Sequence, residues 1–460
     1  MQFDNEKAMR SYFIRYKSHY KDTVRLGIPI VLGQLGIVAV GIFDNIMIGR
    51  YGTPDLAAAS FVNSVFNIPI LFGLGFSYGL TPLVGQFFGR GEKLSVGGLL
   101  KNSLLANAII AVILMLVMSL FYFRVDRMGQ PEELLPLIRP YFLLQLSSLL
   151  FVMLFNSFKQ FADGITDTAT PMWIMLSANV LNIIGNSILI YGYFGIPALG
   201  LTGAGISTLV SRIYMCGVFA ILFFRKPKFR RYLVGFKRIS LNRSDLLLLN
   251  RMGIMVGLQM GMETALFSIT GVMIGWLGTI ALAAHQVVVS ISTLGFMIYY
   301  GVGAAVSVRV SNFYGRRDIG NVKEASRAGL HLIMVLALII SLFFLISRRY
   351  LGFVFTSSEE VAQWVSSLMI ILLFYQFGDA LQITYANSLR GIGDVNSMAL
   401  ISFIGYFLIA LPFSYFLGIK AGYGIFGIWW GYPVGLTLTG LMLMIRYHYV
   451  LKRKYRLIKG

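Results

Sequence analysis

Residues 25–49 read RLGIPIVLGQLGIVAVGIFDNIMIG, and residues 251–275 read RMGIMVGLQMGMETALFSITGVMIG. Each stretch begins with an arginine and continues as a mostly apolar run of the length, about 20 residues, that an α-helix needs to cross the hydrocarbon core of a bilayer. Each run also contains one carboxylate, Asp44 in the first and Glu263 in the second. The two stretches therefore predict a pair of related transmembrane helices.

The similarity between the two stretches extends into the residues that follow them. A shift of 226 residues aligns 25–90 with 251–316 without a gap and places Phe87-Phe-Gly-Arg90 on Phe313-Tyr-Gly-Arg316. Because an even number of predicted spans separates the copies, both enter the membrane from the same side and form parallel repeats. This predicts two pseudo-symmetric six-helix lobes, an arrangement that suits transport by alternating access.

The rest of the chain has the composition of a membrane protein. Its 460 residues are 57% hydrophobic and only 13% charged, which is too apolar for one water-soluble core. We therefore predict an all-α integral membrane protein with twelve transmembrane helices. The predicted spans lie near residues 26–48, 57–85, 99–122, 137–158, 171–192, 201–224, 252–275, 282–308, 328–346, 363–388, 397–418 and 425–445.

These spans and the repeat predict five segments along the chain. They are a cytoplasmic N-terminal segment at 1–24, an N-terminal lobe at 25–224, a basic cytoplasmic linker at 225–250, a C-terminal lobe at 251–446 and a basic cytoplasmic tail at 447–460. With both termini in the cytoplasm, most of the 39 Lys and Arg residues fall on the cytoplasmic side, as the positive-inside rule requires. The predicted location is the cell inner (plasma) membrane.

The net charge of +20 is explained by this topology. The basic residues lie between apolar spans and form no solvated module, so we expect no nucleic-acid partner. We interpret the basic clusters of the linker and tail as topology signals in contact with anionic lipid, with a specific partner site as the alternative. The single cysteine, Cys216, excludes an intrachain disulfide and a thiolate metal cluster.

Three carboxylates lie inside predicted spans, where an ionisable side chain is costly and therefore a functional candidate. Asp44 lies toward the outer end of the first span, where pairing with Arg50 is the structural alternative, and Glu263 and Asp379 lie mid-span. Tyr375 precedes Asp379 by four residues, so the two share one helix face. Carboxylate and hydroxyl oxygens suit Na⁺, whereas a desolvated carboxylate can instead carry a proton. Both coupling ions fit these residues.

Other polar residues in the spans are weaker candidates. Asn179, Asn182 and Asn186 form one stripe on the fifth span, for which interhelical hydrogen bonding is the alternative to a site. Arg212 is the only basic residue that we place well inside a span. His285 is isolated, so we expect it to hydrogen bond rather than to bind a metal.

Six short segments carry a family resemblance. They are Phe43-Asp-Asn-Ile-Met-Ile-Gly49, Leu181-Asn-Ile-Ile-Gly-Asn186 with Tyr191-Gly-Tyr-Phe-Gly-Ile-Pro197, Met262-Glu-Thr-Ala-Leu266, Ala283-Ala-His-Gln-Val287, Gly378-Asp-Ala-Leu-Gln382 and Ser388-Leu-Arg-Gly-Ile-Gly-Asp394. In this order and spacing, the chain resembles the multidrug and toxic compound extrusion (MATE) family, in its NorM-like branch, over essentially its whole length.

The resemblance implies a V-shaped pair of six-helix lobes of the MATE or MOP-flippase type. It also implies export of cationic or amphipathic compounds in exchange for Na⁺ or H⁺. Glu263, Tyr375 and Asp379 match the cation-site residues of the C-terminal lobe in that family. These three residues are therefore possible ligands of Na⁺. We expect no cofactor other than a coupling ion.

The resemblance assigns a second polar cluster to the N-terminal lobe, for coupling or for substrate. Its residues in this chain are Asp44, Asn182 and Asn186. Relatives with a well-formed ion site in that lobe have an aspartate where this chain has Asn186. This departure shifts the predicted coupling site toward the C-terminal lobe.

Two other classes of function compete with an antiporter. A lipid-linked oligosaccharide flippase of the same superfamily would have a more cationic central cavity than Arg212 alone provides. An intramembrane enzyme is disfavoured because no Gly-x-Ser-x-Gly or His-Glu-x-x-His motif occurs. The chain also has no phosphate-binding loop for ATP, so we expect an ion gradient to supply the work. We expect a transporter that functions as a monomer within the lipid bilayer.

Overall fold

The computed structural model describes the backbone of residues 2–459 and the side chains of residues 16–454, and helices account for nearly all of that range. Side chains 1–15 of the predicted N-terminal segment and 455–460 of the predicted tail lie outside the described residues. The α-helices are α1 Gln2–Tyr51, α2 Thr53–Tyr78, α3 Leu80–Gly89, α4 Lys93–Tyr122, α5 Leu135–Gly164, α6 Ala169–Tyr191, α7 Gly200–Arg225, α8 Arg230–Arg238, α9 Arg243–Gly275, α10 Thr279–Gly315, α11 Ile319–Leu351, α12 Glu359–Ile392, α13 Val395–Phe403, α14 Leu411–Tyr415 and α15 Gly424–Lys459.

Twelve helical stretches in the described part of the chain are long and apolar enough to cross a membrane, as predicted. Two of them each join two α-helices. The helices α2 and α3 form one stretch, Thr53–Gly89, and α13 and α14 form another, Val395–Lys420, together with two π-helical segments. The predicted linker at 225–250 is largely helical, since it contains α8 and the first turns of α9.

The chain packs as two compact units whose boundaries fall inside helices. Unit 1 contains the chain up to Val31 and from Leu258 onward, and unit 2 contains Leu32–Gly257. The first part of α1 thus belongs to unit 1, and the first part of α9 belongs to unit 2. The two boundaries are separated by 226 residues, which is the offset of the sequence repeat. The predicted lobes, in contrast, assign each of these helices whole.

The first part of α1 is held in unit 1 by a buried arginine of α10. Arg309 donates through Nη1 to the carbonyl oxygen of His19 at 2.7 Å and to Oγ1 of Thr23 at 2.8 Å. The ring of His19 lies 3.2 Å from a carboxylate oxygen of Glu324 in α11. This polar network fixes a helix that enters unit 1 from the distant end of the sequence.

Small residues set the close helix packing in unit 2. Gly253 of α9 lies against α2, where a Cβ on it would lie 2.6 Å from a ring carbon of Phe76. At the equivalent position of the repeat, Gly27 of α1 lies against Val302 of α10 within unit 1, with more room, at 3.6 Å. The repeat therefore preserves the packing surface that brings each of these helices onto its neighbour.

Candidate functional site

The predicted carboxylate of α12 lies in the interior of unit 1. Asp379 is fully buried, and Tyr375 is buried one turn before it. Neither carboxylate oxygen of Asp379 has a hydrogen-bond partner among the described residues. Because a buried carboxylate normally accepts several hydrogen bonds, this group lacks the partners that would stabilise its charge.

Several other buried polar atoms near Asp379 also lack partners within the described part of the chain. They are both amide atoms of Gln376, Oε1 of Gln382 and the hydroxyl of Tyr299. Gln376 and Gln382 each lie three residues from Asp379 on α12, and the hydroxyl of Tyr299 on α10 interacts electrostatically with its carboxylate. Buried polar atoms without hydrogen-bond partners, most of them oxygens, thus lie near Asp379.

Glu263 on α9 contrasts with Asp379 because its carboxylate is engaged. Gln259, one turn earlier, donates through Nε2 to Oε2 of Glu263 at 3.0 Å. The Oε1 atom of Gln259 in turn accepts from Nη2 of buried Arg390 at 3.3 Å. Arginine can only donate, so Arg390 fixes the orientation of the Gln259 amide and directs its N–H toward Glu263.

The three predicted residues share one polar region of unit 1. The carboxylates of Glu263 and Asp379 interact electrostatically, and the hydroxyl of Tyr375 interacts with both. No hydrogen bond joins the three side chains directly, as far as the described residues extend. The structure therefore brings them into one polar region without a direct hydrogen bond between them.

Aromatic packing holds Tyr375 in place. The ring of Phe267 stacks on that of Tyr432 with centroids 4.8 Å apart, and Tyr375 lies edge-on to Tyr432 at 6.2 Å. Tyr432 is fixed in turn by a short hydrogen bond to the hydroxyl of Thr270. These contacts restrict the Tyr375 ring, so its hydroxyl has a defined position relative to Asp379.

The predicted cluster of unit 2 also comes together. Asn186 of α6 donates through Nδ2 to Oδ1 of Asp44 at 2.5 Å and to Oδ1 of Asn182 at 3.3 Å. Asn182 donates to Oγ1 of Thr208 at 3.4 Å. Asp44 is half-buried, and its bond is to Asn186 rather than to Arg50.

Arg212 belongs to the same cluster. Its guanidinium donates to Oε1 of Gln145 at 2.9 Å and to the hydroxyl of Ser148, and it interacts electrostatically with Asp44. Gln145 donates in turn to the hydroxyl of Tyr141 at 2.9 Å. Arg212 thus acts electrostatically on Asp44, as Arg390 does on Glu263, and neither pair is an ion pair in direct contact among the described residues.

Two further residues singled out in the sequence lie away from these clusters. His285 is buried edge-on against Trp429 with centroids 5.6 Å apart. Asn179 contacts α1 at Gly36, where a Cβ would lie 2.8 Å from its amide nitrogen. Asn179 thus packs between helices, and His285 fills the core of unit 1.

The sequence reasoning missed the glutamines and the arginine of the unit 1 site. Gln259 and Glu263 are four residues apart, and Gln376 and Gln382 each lie three residues from Asp379, so helical spacing alone marks them as neighbours. Arg390 escaped notice because the predicted span ended at 388, whereas α12 continues to Ile392. Lys159 and Arg309 are buried on similar helix extensions, so Arg212 is not the only basic side chain in the helical interior.

Comparison with known proteins agrees with this architecture. A family model described as MatE matches the chain twice, over residues 29–188 and 256–416, so the second match begins within a residue of the repeat offset. Multidrug resistance protein NorM of Aliivibrio fischeri is 29% identical over 94% of this chain and 95% of its own length. The NorM protein of Vibrio cholerae is 29% identical over 95% and 97%, respectively.

Solved structures show the same fold. The outward-facing conformation of a multidrug resistance MATE family transporter of the MOP superfamily has a TM-score of 0.86 at 19% identity, covering 95% of this chain and 97% of its own. A mutant of the Vibrio cholerae MATE transporter VcmN has a TM-score of 0.84 at 21% identity, covering 95% and 98%.

The predicted fold, twelve transmembrane helices in two pseudo-symmetric six-helix lobes, is thus confirmed. The relatives are transporters rather than enzymes, which confirms that prediction as well. The family model matches two segments that together cover more than half of the chain. This match shows that the chain belongs to the multidrug and toxic compound extrusion (MATE) family of membrane transporters.

Proposed function

We propose that the chain is a secondary active multidrug efflux antiporter of the cell inner (plasma) membrane. It exports cationic or amphipathic organic compounds in exchange for Na⁺ or H⁺ by alternating access of its two lobes. Family membership and the names of the NorM relatives support this proposal. The observation that carries the coupling step is the buried, unpartnered carboxylate of Asp379.

The coupling chemistry follows from the cost of burying charge. An ionised carboxylate removed from water is strongly unfavourable unless hydrogen bonds or a counterion compensate it, and Asp379 has no such partner among the described residues. A proton or a monovalent cation supplies the missing compensation. The unused oxygens of Tyr299 and Gln382 are hard ligands, so they can complete the coordination of Na⁺ beside Glu263, Tyr375 and Asp379.

Glu263 has a different role from Asp379 in this proposal. The amide N–H of Gln259 donates to it, and a donor favours the ionised form of a carboxylate. Glu263 therefore has a hydrogen-bond partner within the protein, whereas Asp379 has none among the described residues and changes its state as the ion binds and leaves. Arg390 acts indirectly by orienting Gln259.

The cluster of unit 2 is better suited to orienting a substrate than to holding an ion. Its carboxylate, Asp44, already accepts a short hydrogen bond from Asn186 and lies in the field of Arg212. Asn186 also brings no charge to the cluster. The coupling site therefore lies in the C-terminal lobe, and Asp44, Asn182 and Asn186 contribute polar contacts in the N-terminal lobe.

The proposal also includes the membrane topology, the oligomeric state and the class of ligand. Both termini lie in the cytoplasm, the protein works as a monomer in the bilayer, and its ligands are small molecules rather than nucleic acid. The distribution of Lys and Arg supports the orientation of the termini.

Efflux of a fluorescent organic cation from proteoliposomes tests the proposal. Wild-type protein is expected to respond to an imposed Na⁺ gradient, a pH gradient or both, and the response identifies the coupling ion. Asp379→Asn and Glu263→Gln should each lose it. Asp126→Asn, which alters an exposed carboxylate paired with Arg139, serves as the matched control and should transport normally. Absence of a response to either gradient in the wild type would refute the antiporter.

A further inference from the structure

A concave basic site lies at one end of unit 1, outside the polar regions described above. A cavity of about 380 Å³ is bounded by the end of α12, the turn Gly393–Asp394 that precedes α13, and the last part of α15. The residues that matter for its chemistry are Gly393, Asp394, Arg446, Tyr449, Arg453 and Lys454. Three basic side chains thus share this cavity with one carboxylate.

The single carboxylate already accepts hydrogen bonds from the protein, and the three basic side chains leave the cavity with a net positive charge. Asp394 accepts from Nε of Arg446 at 2.7 Å and from the hydroxyl of Ser397 at 2.8 Å. Arg446 uses only Nε in that bond, which leaves its two terminal amino groups for another ligand. Lys454 bonds to the hydroxyl of Tyr314, which satisfies one of its three donors. Arg453 is exposed.

An apolar stripe on α15 leads to the same cavity. Leu438, Leu441, Ile445 and Tyr449 are all exposed and recur at intervals of three or four residues on one face of the helix. Such a stripe is unfavourable in water but matches the acyl chains of a bilayer, and a tyrosine at its end fits the membrane interface. Tyr449 lies both on the stripe and in the cavity wall.

We propose that this cavity binds the phosphate of an anionic phospholipid headgroup, with the lipid chains lying along the stripe of α15. An arginine fork matches phosphate oxygens geometrically, and a lysine adds a point charge. A zwitterionic headgroup would bring its own cationic amine into a cavity with excess positive charge, so the site selects anionic lipid. The stripe distinguishes a lipid from free phosphate, which would use the cavity alone.

This proposal goes beyond a general attraction of basic residues to anionic membranes. A diffuse attraction depends on charge only, so any two exposed basic residues near the bilayer contribute equally. A built site depends on position and on the arginine fork. Variants that remove the same charge from the cavity and from another part of the surface distinguish a built site from a diffuse attraction.

Lipid retention by the purified full-length protein, measured by native mass spectrometry, tests the proposal without reference to transport. The wild type, incubated with phosphatidylglycerol or phosphatidylcholine, should retain phosphatidylglycerol preferentially. Arg453→Gln with Lys454→Gln should weaken that retention about 30-fold, equivalent to about 2 kcal/mol for two basic residues. Arg348→Gln with Arg349→Gln removes the same charge from the end of α11 and should leave retention unchanged.

Two additional measurements make the outcome decisive. Arg446→Lys preserves the charge but removes the fork, so it should lower retention while the protein elutes as a folded species. Inorganic phosphate at millimolar concentration should not displace the lipid. Equal loss in the control pair, equal retention of phosphatidylcholine, or displacement by phosphate would each overturn the assignment.

Discussion

Two carboxylates in the membrane-spanning helices, Asp44 and Asp379, differ in burial and in hydrogen bonding, although the two units have similar helical scaffolds. Asp44 in unit 2 is half-buried, accepts a bond from Asn186 and has Arg212 nearby. Asp379 in unit 1 is fully buried and has no partner among the described residues. The protein supplies a side-chain hydrogen bond to Asp44 and none to Asp379 among the described residues. The two units thus share helix packing but differ in the hydrogen bonding of their carboxylates.

The largest effect that this comparison predicts concerns Asp379. Replacing Asp379 with Asn should abolish gradient-driven efflux and also raise the Tm, because Asn is neutral and needs neither the proton nor the cation that burial of a carboxylate requires. Transport assays and thermal unfolding of the same preparation measure both changes. The Asp44→Asn variant should retain partial efflux and show no gain in Tm. A lower Tm for Asp379→Asn would mean that its carboxylate is stabilised by contacts within the protein.

Converting Asn186 to Asp tests whether one amide accounts for the difference between the units. The variant removes the donor to Asp44 and places a second carboxylate 2.5 Å from it in the wild-type geometry. Loss of the bond should destabilise unit 2 by about 1–3 kcal/mol, and like charges add to the cost.

The Asn186→Asp variant should regain stability when Na⁺ or acid neutralises the pair. Thermal unfolding across Na⁺ concentration and pH measures this dependence. The conservative variant Asn186→Gln provides the control, since it keeps a donor and adds no charge. A variant that unfolds identically with and without Na⁺, and at neutral and acidic pH, would show that Asn186 does not set the asymmetry.

The Gln259 bridge should have a smaller, structural effect. Gln259→Ala leaves buried Arg390 and Glu263 without their shared partner, at an expected cost of about 1–3 kcal/mol, lowering Tm and impairing coupling. Gln363→Ala removes an exposed glutamine that bonds to Glu359 with the same four-residue spacing. That control should change stability by less than about 0.5 kcal/mol, because surface pairs contribute little. Equal effects of the two substitutions would remove the bridge from the proposed mechanism.

The smallest predicted effect concerns equivalent turns in the two units. Thr166 after α5 and Gly393 after α12 both have left-handed backbones, with φ of 67° and 81°, and each is followed by an aspartate. Because threonine is strained there, Thr166→Gly should stabilise the protein by up to about 1 kcal/mol. Gly393→Thr should destabilise it by a similar amount. Thermal unfolding of both variants checks the signs, and a loss of stability in Thr166→Gly would contradict the equivalence of the turns.

The positions of the helices can be predicted from the sequence, whereas the bonding state of a buried carboxylate cannot. Hydrophobic run length and the repeat were sufficient for the twelve helices, because span length is a local property. Helical spacing and the family resemblance together selected Glu263, Tyr375 and Asp379, which share one polar region. Whether a carboxylate is engaged or unpartnered depends on side chains from other helices, and no local pattern reports it.

The division of α1 and α9 between units was not predictable for the same reason. It depends on which neighbours the helix halves contact, such as Arg309, which lies 290 positions beyond His19 in the chain. Arg309 itself lies just past the predicted span, so its hydropathy placed it in a loop. Tertiary packing lengthens the helix and buries the charge, and run length cannot detect either effect.

The anchoring of α1 by Arg309 has a consequence for biosynthesis. Arg309, the hydrogen-bond partner of His19 and Thr23, is translated 290 and 286 residues after them. Until then, the first part of α1 lacks the contacts that Arg309 makes with it in the folded protein. This part of α1 can therefore dock onto unit 1 only after α10 has been synthesised.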